Sequence, residues 1–155
     1  MQATDSAVRR EITVDAGQER AFAVFTDHFD TWWPRGHHIG EAEMAKAVID
    51  PEAGQWYELG TDGSRCEWGA ILAYDPPNRI ALEWRIGGAW AIESDPAAFS
   101  EIDVTFTPEG DATRVTLEHR HLDRHTAPEA LKEAVGSEGG WPGLLRLYAE
   151  ALSVG

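Results

Sequence analysis

The chain has 155 residues and carries 13 Lys and Arg against 27 Asp and Glu, a formal net charge of −14. A chain this long supports one hydrophobic core. Its charge argues against nucleic acid or an anionic membrane as partner, because both are held by clustered Lys and Arg. The single Cys66 excludes an internal disulfide and zinc sites built from several thiolates. Neither a signal-peptide apolar region nor an apolar run of about 18 residues occurs, so a cytoplasmic protein is expected. Seven tryptophans beside two methionines stand out, since each indole buries a large flat surface and shapes whatever core or pocket holds it.

No repeat or linker divides the sequence, which reads as one domain over 1–155 with a flexible segment at 1–6. Val8 to Asp15 alternates with Val8, Ile12 and Val14 on one side, the spacing of a half-buried strand. Gln18 to Phe29 places Ala21, Phe22, Phe25 and Phe29 at helical intervals, and Asp30 to Trp33 adds a short turn stopped by Pro34 and Gly36. Strands follow at Glu43 to Asp50, Gln55 to Gly60, Ser64 to Tyr74 and Arg79 to Ile86, separated by Pro, Gly, Asp and Asn turns. In the third of these, Cys66, Trp68, Ala70, Leu72 and Tyr74 are expected on one face. Gly87 to Ala97 reads as a loop around Trp90. Phe99 to Thr107 and Thr113 to His121 form a last hairpin, with Val115, Leu117, His119 and His121 in one column. Thr126 with Glu129 fits a capping box opening a helix to Val135, and Trp141, Leu144, Leu145, Tyr148, Ala151 and Leu152 form the apolar stripe of a terminal helix. An antiparallel sheet with one apolar face needs a cover, which this helix is long enough to supply.

The order of elements, the stretch from Gly54 to Gly63 (GQWYELGTDG), Glu67-Trp68-Gly69, Pro77-Asn78-Arg79-Ile80, Trp84 and Gly140-Trp141 resemble the START-like (SRPBCC) superfamily, and within it the bacterial branch named after activators of the Hsp90 ATPase. The resemblance runs from about Val8 to Leu152. It implies an α+β helix-grip fold: a curved antiparallel sheet wrapped around a long C-terminal helix, with two short helices after the first strand and a cavity between sheet and helix. Eukaryotic activators carry a separate chaperone-binding region, for which this chain is expected to have no room. Small bacterial members are mostly lipid or small-molecule binders, with cyclases, dehydratases and other enzymes among them.

Any single tryptophan reads as core packing, but as a set they favour a pocket, because several large rings along one seam are hard to pack without a void. The expected ligand-binding residues are Trp32, Trp33, Trp56, Trp68, Leu72, Trp84, Val104, Phe106, Leu117, His119, Trp141, Leu145 and Tyr148. His119 and His121, at the concave end of the last strand, and Glu58 are candidates for acid–base chemistry. If Glu58 points inward it is expected to pair with Arg10, whose parity matches Ile12 and Val14; the period of its strand leaves its face open. His37-His38, with His28, Glu41 and Glu43 nearby, lack a metal-binding helical spacing, so no metal and no cofactor are expected. Cys66 reads as an inert buried thiol.

These observations lead to three expected functions. The first is binding of a small hydrophobic or aromatic molecule, lipid-like or polyketide-like, between sheet and terminal helix. The second is an enzyme, a cyclase, dehydratase or hydrolase, acting in the same cavity. The third is a module that binds a chaperone or regulator. The chain is expected to be a monomer, or a symmetric homodimer formed through an edge strand or Trp90.

Overall fold

The computed structural model describes residues 7–154, so the expectation for 1–6 lies outside the described residues. Seven strands form an antiparallel sheet: β1 (Val8–Val14), β2 (Met44–Asp50), β3 (Gln55–Gly60), β4 (Arg65–Asp75), β5 (Arg79–Trp84), β6 (Ser100–Glu109) and β7 (Ala112–Arg120). Their order across the sheet is β1-β7-β6-β5-β4-β3-β2. Only β1 leaves the run of adjacent hairpins, because the helical segments α1 (Gln18–Thr26) and a 3₁₀ turn (Phe29–Thr31) separate it from β2. The chain ends in α2 (Pro128–Gly136) and α3 (Trp141–Val154). This is the helix-grip architecture.

Alternation in the sequence sets which face is buried. Ile80, Leu82 and Trp84 of β5, Ile102, Val104 and Phe106 of β6, and Val115, Leu117 and His119 of β7 all lie inward. The outer face carries charge, where Asp103 accepts from both Arg79 and Arg120. Helix α3 lies against the inner face with Leu144, Leu145, Tyr148 and Leu152 buried. The Tyr148 hydroxyl donates to the Ala21 carbonyl at 2.6 Å and so pins α3 to α1. Burial pushes that phenol above its ordinary range.

Two elements depart from the sequence reading. Strand β4 contains two bulges, one where its pairing with β3 shifts between Trp56 and Tyr57, the other where its pairing with β5 shifts between Ile71 and Ala73. Each bulge inserts a residue and reverses the parity beyond it. Trp68 is therefore inward as expected, but Ile71, opposite Leu82, faces the core, and Leu72 is 45% exposed. Leu72 is thus a surface residue of the convex face. Gly69 permits the first bulge: a Cβ there would sit 2.0 Å from the Glu83 carbonyl oxygen, which already accepts the Trp56 indole N–H at 2.7 Å.

The second departure is the start of α2. Its N-cap is Ala127, in the left-handed region at φ 50°, with no side-chain cap. Thr126 instead gives both its N–H and its hydroxyl to the Glu93 carboxylate, each at 2.7 Å. A long-range carboxylate has displaced the local capping box.

Candidate functional site

The aromatic seam between sheet and helix divides into two halves. At one end Phe22, Phe25, Trp32, Phe106 and Tyr148 pack solidly, with Phe25 5.1 Å from Trp32 and 5.3 Å from Tyr148 between ring centres. Trp56, Val104, Leu117 and Leu145 are likewise buried in the core. At the other end the rings splay apart. Trp33, Trp68, Trp84 and Trp141 bound a cavity of about 340 Å³, completed by Ile39, Ile86, Trp90, Ala134, Val135 and Leu144, by the segment Gly36–His38, and by Ser137, Gly139 and Gly140. Trp33 lies 5.6 Å from Trp68 and 6.2 Å from Trp141, which in turn lies 6.2 Å from Trp84. A void of this size with flat apolar walls suits a small organic molecule.

The local sequence explains the opening. Gly140 joins α2 to α3 so closely that a Cβ would stand 2.3 Å from the Val135 carbonyl oxygen. The two helices therefore meet at a sharp corner, and Trp141, first residue of α3, faces the cavity while Leu145 and Tyr148 continue into the core. Opposite, the strap from Pro34 to Gly40 crosses the mouth. It is tied down by Glu58, whose Oε1 accepts from Ile39 N–H at 2.5 Å, Gly40 N–H at 3.1 Å and the Trp68 indole at 3.0 Å. His37 Nε2 meets the Gly139 carbonyl at 3.1 Å and closes the strap onto the corner.

Behind Trp84 and Trp141 lies a polar chain that the apolar pattern did not announce. His119 is fully buried. Its Nδ1 accepts the Trp141 indole N–H at 3.1 Å, and its Nε2 is 2.7 Å from Ser100 Oγ. Ser100 Oγ is also 2.7 Å from His125 Nε2, and His125 Nδ1 is 3.1 Å from Glu93 Oε2. Because an indole nitrogen only donates, the direction of every bond is fixed. Trp141 donates to His119, His119 to Ser100, Ser100 to His125, and His125 to Glu93. Burial, helped by the nearby His125, pushes the His119 imidazole down to about 3, so it is neutral. Burial lowers His125 as well, although Glu93 opposes it. Burial alone would raise Glu93, but hydrogen bonds from Thr126 and His125 outweigh it and hold the carboxyl below its usual range.

Ser100, His125 and Glu93 have the connectivity of a serine-hydrolase triad. Yet Ser100 has no exposed surface, and its hydroxyl is gripped from the other side by His119. A nucleophile must reach a carbonyl carbon, and this one reaches nothing but protein. The chain is instead a satisfied buried network that holds Trp141 edge-on; among the described residues no buried side-chain nitrogen or oxygen lacks a partner.

Of the residues expected at the site, Trp33, Trp68, Trp84 and Trp141 line the cavity; Trp32, Trp56, Val104, Phe106, Leu117, His119, Leu145 and Tyr148 stand behind it in the core, and Leu72 is on the surface. His121 falls just past β7 in the left-handed region, φ 66°, and takes no part in the lining. Glu58 is buried, yet it serves the strap and lies behind Trp68. Arg10 does not meet it, because β7, β6, β5 and β4 lie between β1 and β3 in the sheet; Arg10 donates to the Gly136 carbonyl at 3.0 Å. Cys66 is half-buried, and burial raises its thiol. Among the described residues no group of three or more His, Cys, Asp or Glu is placed to hold a metal.

His37 and His38, whose sequence context points only to metal ligation, also line the cavity, as do Ile39, Trp90, Val135 and Leu144, which no sequence pattern assigns to it. The one available signal was the histidine pair between Gly36 and Gly40, directly after two tryptophans. His38 is half-buried, with Nδ1 2.9 Å from the Gly40 carbonyl.

Comparison with known proteins agrees with the fold. The model of the family described as activator of Hsp90 ATPase homolog 1-like protein matches residues 15–153, and the chain belongs to that family. No curated protein matches the chain. Among solved structures, the chain is 38% identical to Txn09, an anthrahydroquino-γ-pyrone synthase complexed with SUM, covering 93% of this chain and 95% of that one at a TM-score of 0.64. It is 31% identical to CalC, a self-sacrificing resistance protein from Micromonospora echinospora, covering 97% and 96% at a TM-score of 0.70. A protein from Nitrosomonas europaea, 15% identical over 99% of both chains at a TM-score of 0.66, shares the fold.

Proposed function

We propose that this chain binds a flat, uncharged polycyclic aromatic molecule in the cavity between Trp33, Trp68, Trp84 and Trp141. The observation that carries the reading is the lining itself: five tryptophans, Trp90 at the rim among them, line one cavity of about 340 Å³, and among the described residues no Lys, Arg, Asp or Glu lines it. Flat rings gain most from flat walls, whereas an acyl chain would gain as much from Leu and Val. A lining without Lys or Arg, in a chain of net charge −14, disfavours an anion. The likeness to Txn09, which is named for an anthrahydroquino-γ-pyrone product, points to the same ligand class. Among the described residues no helix is long and apolar enough to cross a membrane, and a binder acting in the cytoplasm as monomer or homodimer fits this reading.

Titration with phenanthrene, pyrene and palmitate, followed by tryptophan emission and calorimetry, tests it. The aromatic compounds should bind, and Ala134→Trp, which fills the cavity from α2, should abolish binding while the circular dichroism stays native. Binding of palmitate alone, or of nothing, overturns the reading.

A second reading, ring closure on such a ligand, is favoured by the synthase among the similar structures. His119, His121 and Glu58 lie outside the lining, so acid–base chemistry here would fall to His38 and His37, the only titratable side chains on the cavity wall among the described residues. His38→Asn should then remove turnover of an open polyketide-like substrate while ligand still binds.

A further inference from the structure

We infer that the cavity selects its ligand by the hydrogen bonds the ligand donates, and that it takes a phenol in preference to the corresponding ether or quinone. The inference rests on the aromatic-ligand reading and specifies the polar decoration that the ligand must carry.

An indole N–H only donates, and a tryptophan-lined pocket would ordinarily offer several such groups to a ligand carbonyl. Here they are spent. Trp33 donates to the His37 carbonyl at 3.1 Å, Trp68 to Glu58 at 3.0 Å, Trp84 to the Ile86 carbonyl at 2.7 Å and Trp141 to His119 at 3.1 Å. The cavity therefore meets these four tryptophans as ring surface.

The remaining polar side chains on the wall have spent their protons too. A carbonyl only accepts, so His37 must use Nε2–H on Gly139, and His38 must use Nδ1–H on Gly40. In the neutral ring the other nitrogen, Nδ1 of His37 and Nε2 of His38, then carries a lone pair and no hydrogen. Ser137 directs its hydroxyl to the Ala134 carbonyl at 2.7 Å and likewise keeps only lone pairs. Of the backbone groups nearby, the N–H of Ile39 and Gly40 go to Glu58, and those of His37, Ser137 and Gly140 go to carbonyls. The one side-chain donor left is the indole of Trp90, 49% exposed on the rim.

The side chains of the wall are thus rich in acceptors and poor in donors. A phenolic hydroxyl entering it finds an imidazole nitrogen. A quinone or ether oxygen loses its water and finds no side-chain donor inside, and desolvating an acceptor without replacement is unfavourable. His38, half-buried beneath the strap, is the acceptor best shielded from competing water.

The test uses one ring system with different oxygen chemistry: phenanthrene, 9-phenanthrol, 9-methoxyphenanthrene and 9,10-phenanthrenequinone, titrated into the full chain by calorimetry. The phenol should bind about three- to tenfold more tightly than the methyl ether or the quinone, the range of one hydrogen bond. In His38→Phe and His38→Leu, two replacements of different shape checked for native circular dichroism, the phenol-to-ether ratio should fall toward one. Equal affinities in the unaltered chain, a preference for the quinone, or a ratio that survives both His38 replacements overturns the inference and leaves the aromatic-ligand reading standing. Failure of all four compounds to bind overturns that reading, and this inference with it.

Discussion

The indole N–H of Trp141 and Nδ1 of His119 are 3.1 Å apart, and this single bond ties the cavity wall to a polar chain ending at Glu93. Removing His119 would strand the buried Trp141 indole N–H and leave the buried Ser100 hydroxyl with its bond to His125 alone. His119→Phe should therefore destabilise the fold by about 2–5 kcal/mol, as expected for unsatisfied buried polar groups in a network. His119→Asn, whose amide oxygen can stand in for Nδ1, should recover part of that loss. Urea denaturation of the three proteins decides, and equal midpoints would show that the network carries no stability.

The same histidine sets a pH dependence. Its folded pKa, about 3, lies below its ordinary 6.5, so the unfolded chain binds the proton more readily. The stability it contributes is complete above pH 6.5 and is lost progressively as the pH falls toward 3, at up to about 1.4 kcal/mol per pH unit. His125, lowered in the same direction, adds to the trend. Thermal unfolding between pH 7.5 and 5.5, above the range where most carboxylates protonate, should show the melting temperature falling with pH. His119→Asn should flatten the curve; an unchanged slope would assign the effect elsewhere.

Glu58 gathers the strap and Trp68 on one oxygen. Glu58→Ala should release Ile39 and Gly40, giving faster amide hydrogen exchange at both and weaker binding of any cavity ligand. Glu58→Gln, which keeps an acceptor oxygen, should lie closer to the unaltered chain. Exchange rates at Ile39 and Gly40 that do not move in Glu58→Ala would mean that other contacts hold the strap.

Gly69 admits no side chain, because a Cβ would stand 2.0 Å from the Glu83 carbonyl oxygen. Gly69→Ala must shift β5 or abandon the bulge, at a cost of about 2–4 kcal/mol. The companion pair tests parity: Leu72→Ser should change stability by less than about 0.5 kcal/mol, and Ile71→Ser by more than about 1 kcal/mol. Reversed magnitudes would place the bulge elsewhere.

Much of this fold was legible in residues whose neighbours repeat a period. Val115, Leu117 and His119 follow the two-residue alternation of β7, and Trp141, Leu144, Leu145 and Tyr148 follow the stripe of α3. Leu72 misled because a bulge changes the phase of a strand without any local composition to mark it, apart from Gly69. Thr126 misled for a related reason: a cap is local, but Glu93, more than thirty residues earlier, competes for the same groups. The seam was legible and its division was not. Trp32 and Trp33 are adjacent and chemically identical, yet one packs against Phe25 and the other lines the cavity, a difference set by tertiary geometry at the α2–α3 corner. The polar chain from His119 to Glu93 joins segments distant in sequence and could not be read from any one of them.

The close spacing of the aromatic rings also has an optical consequence. Trp32, Trp33, Trp56, Trp68, Trp84 and Trp141 form an unbroken series in which each ring lies within about 6 Å of another, from 5.1 Å for Trp56 and Trp68 to 6.2 Å for Trp84 and Trp141. Excitation absorbed by any one of them passes among all six before emission. The buried tryptophans therefore behave as a single antenna, and one quenching ring seated against Trp33 or Trp141 darkens core residues that it never touches.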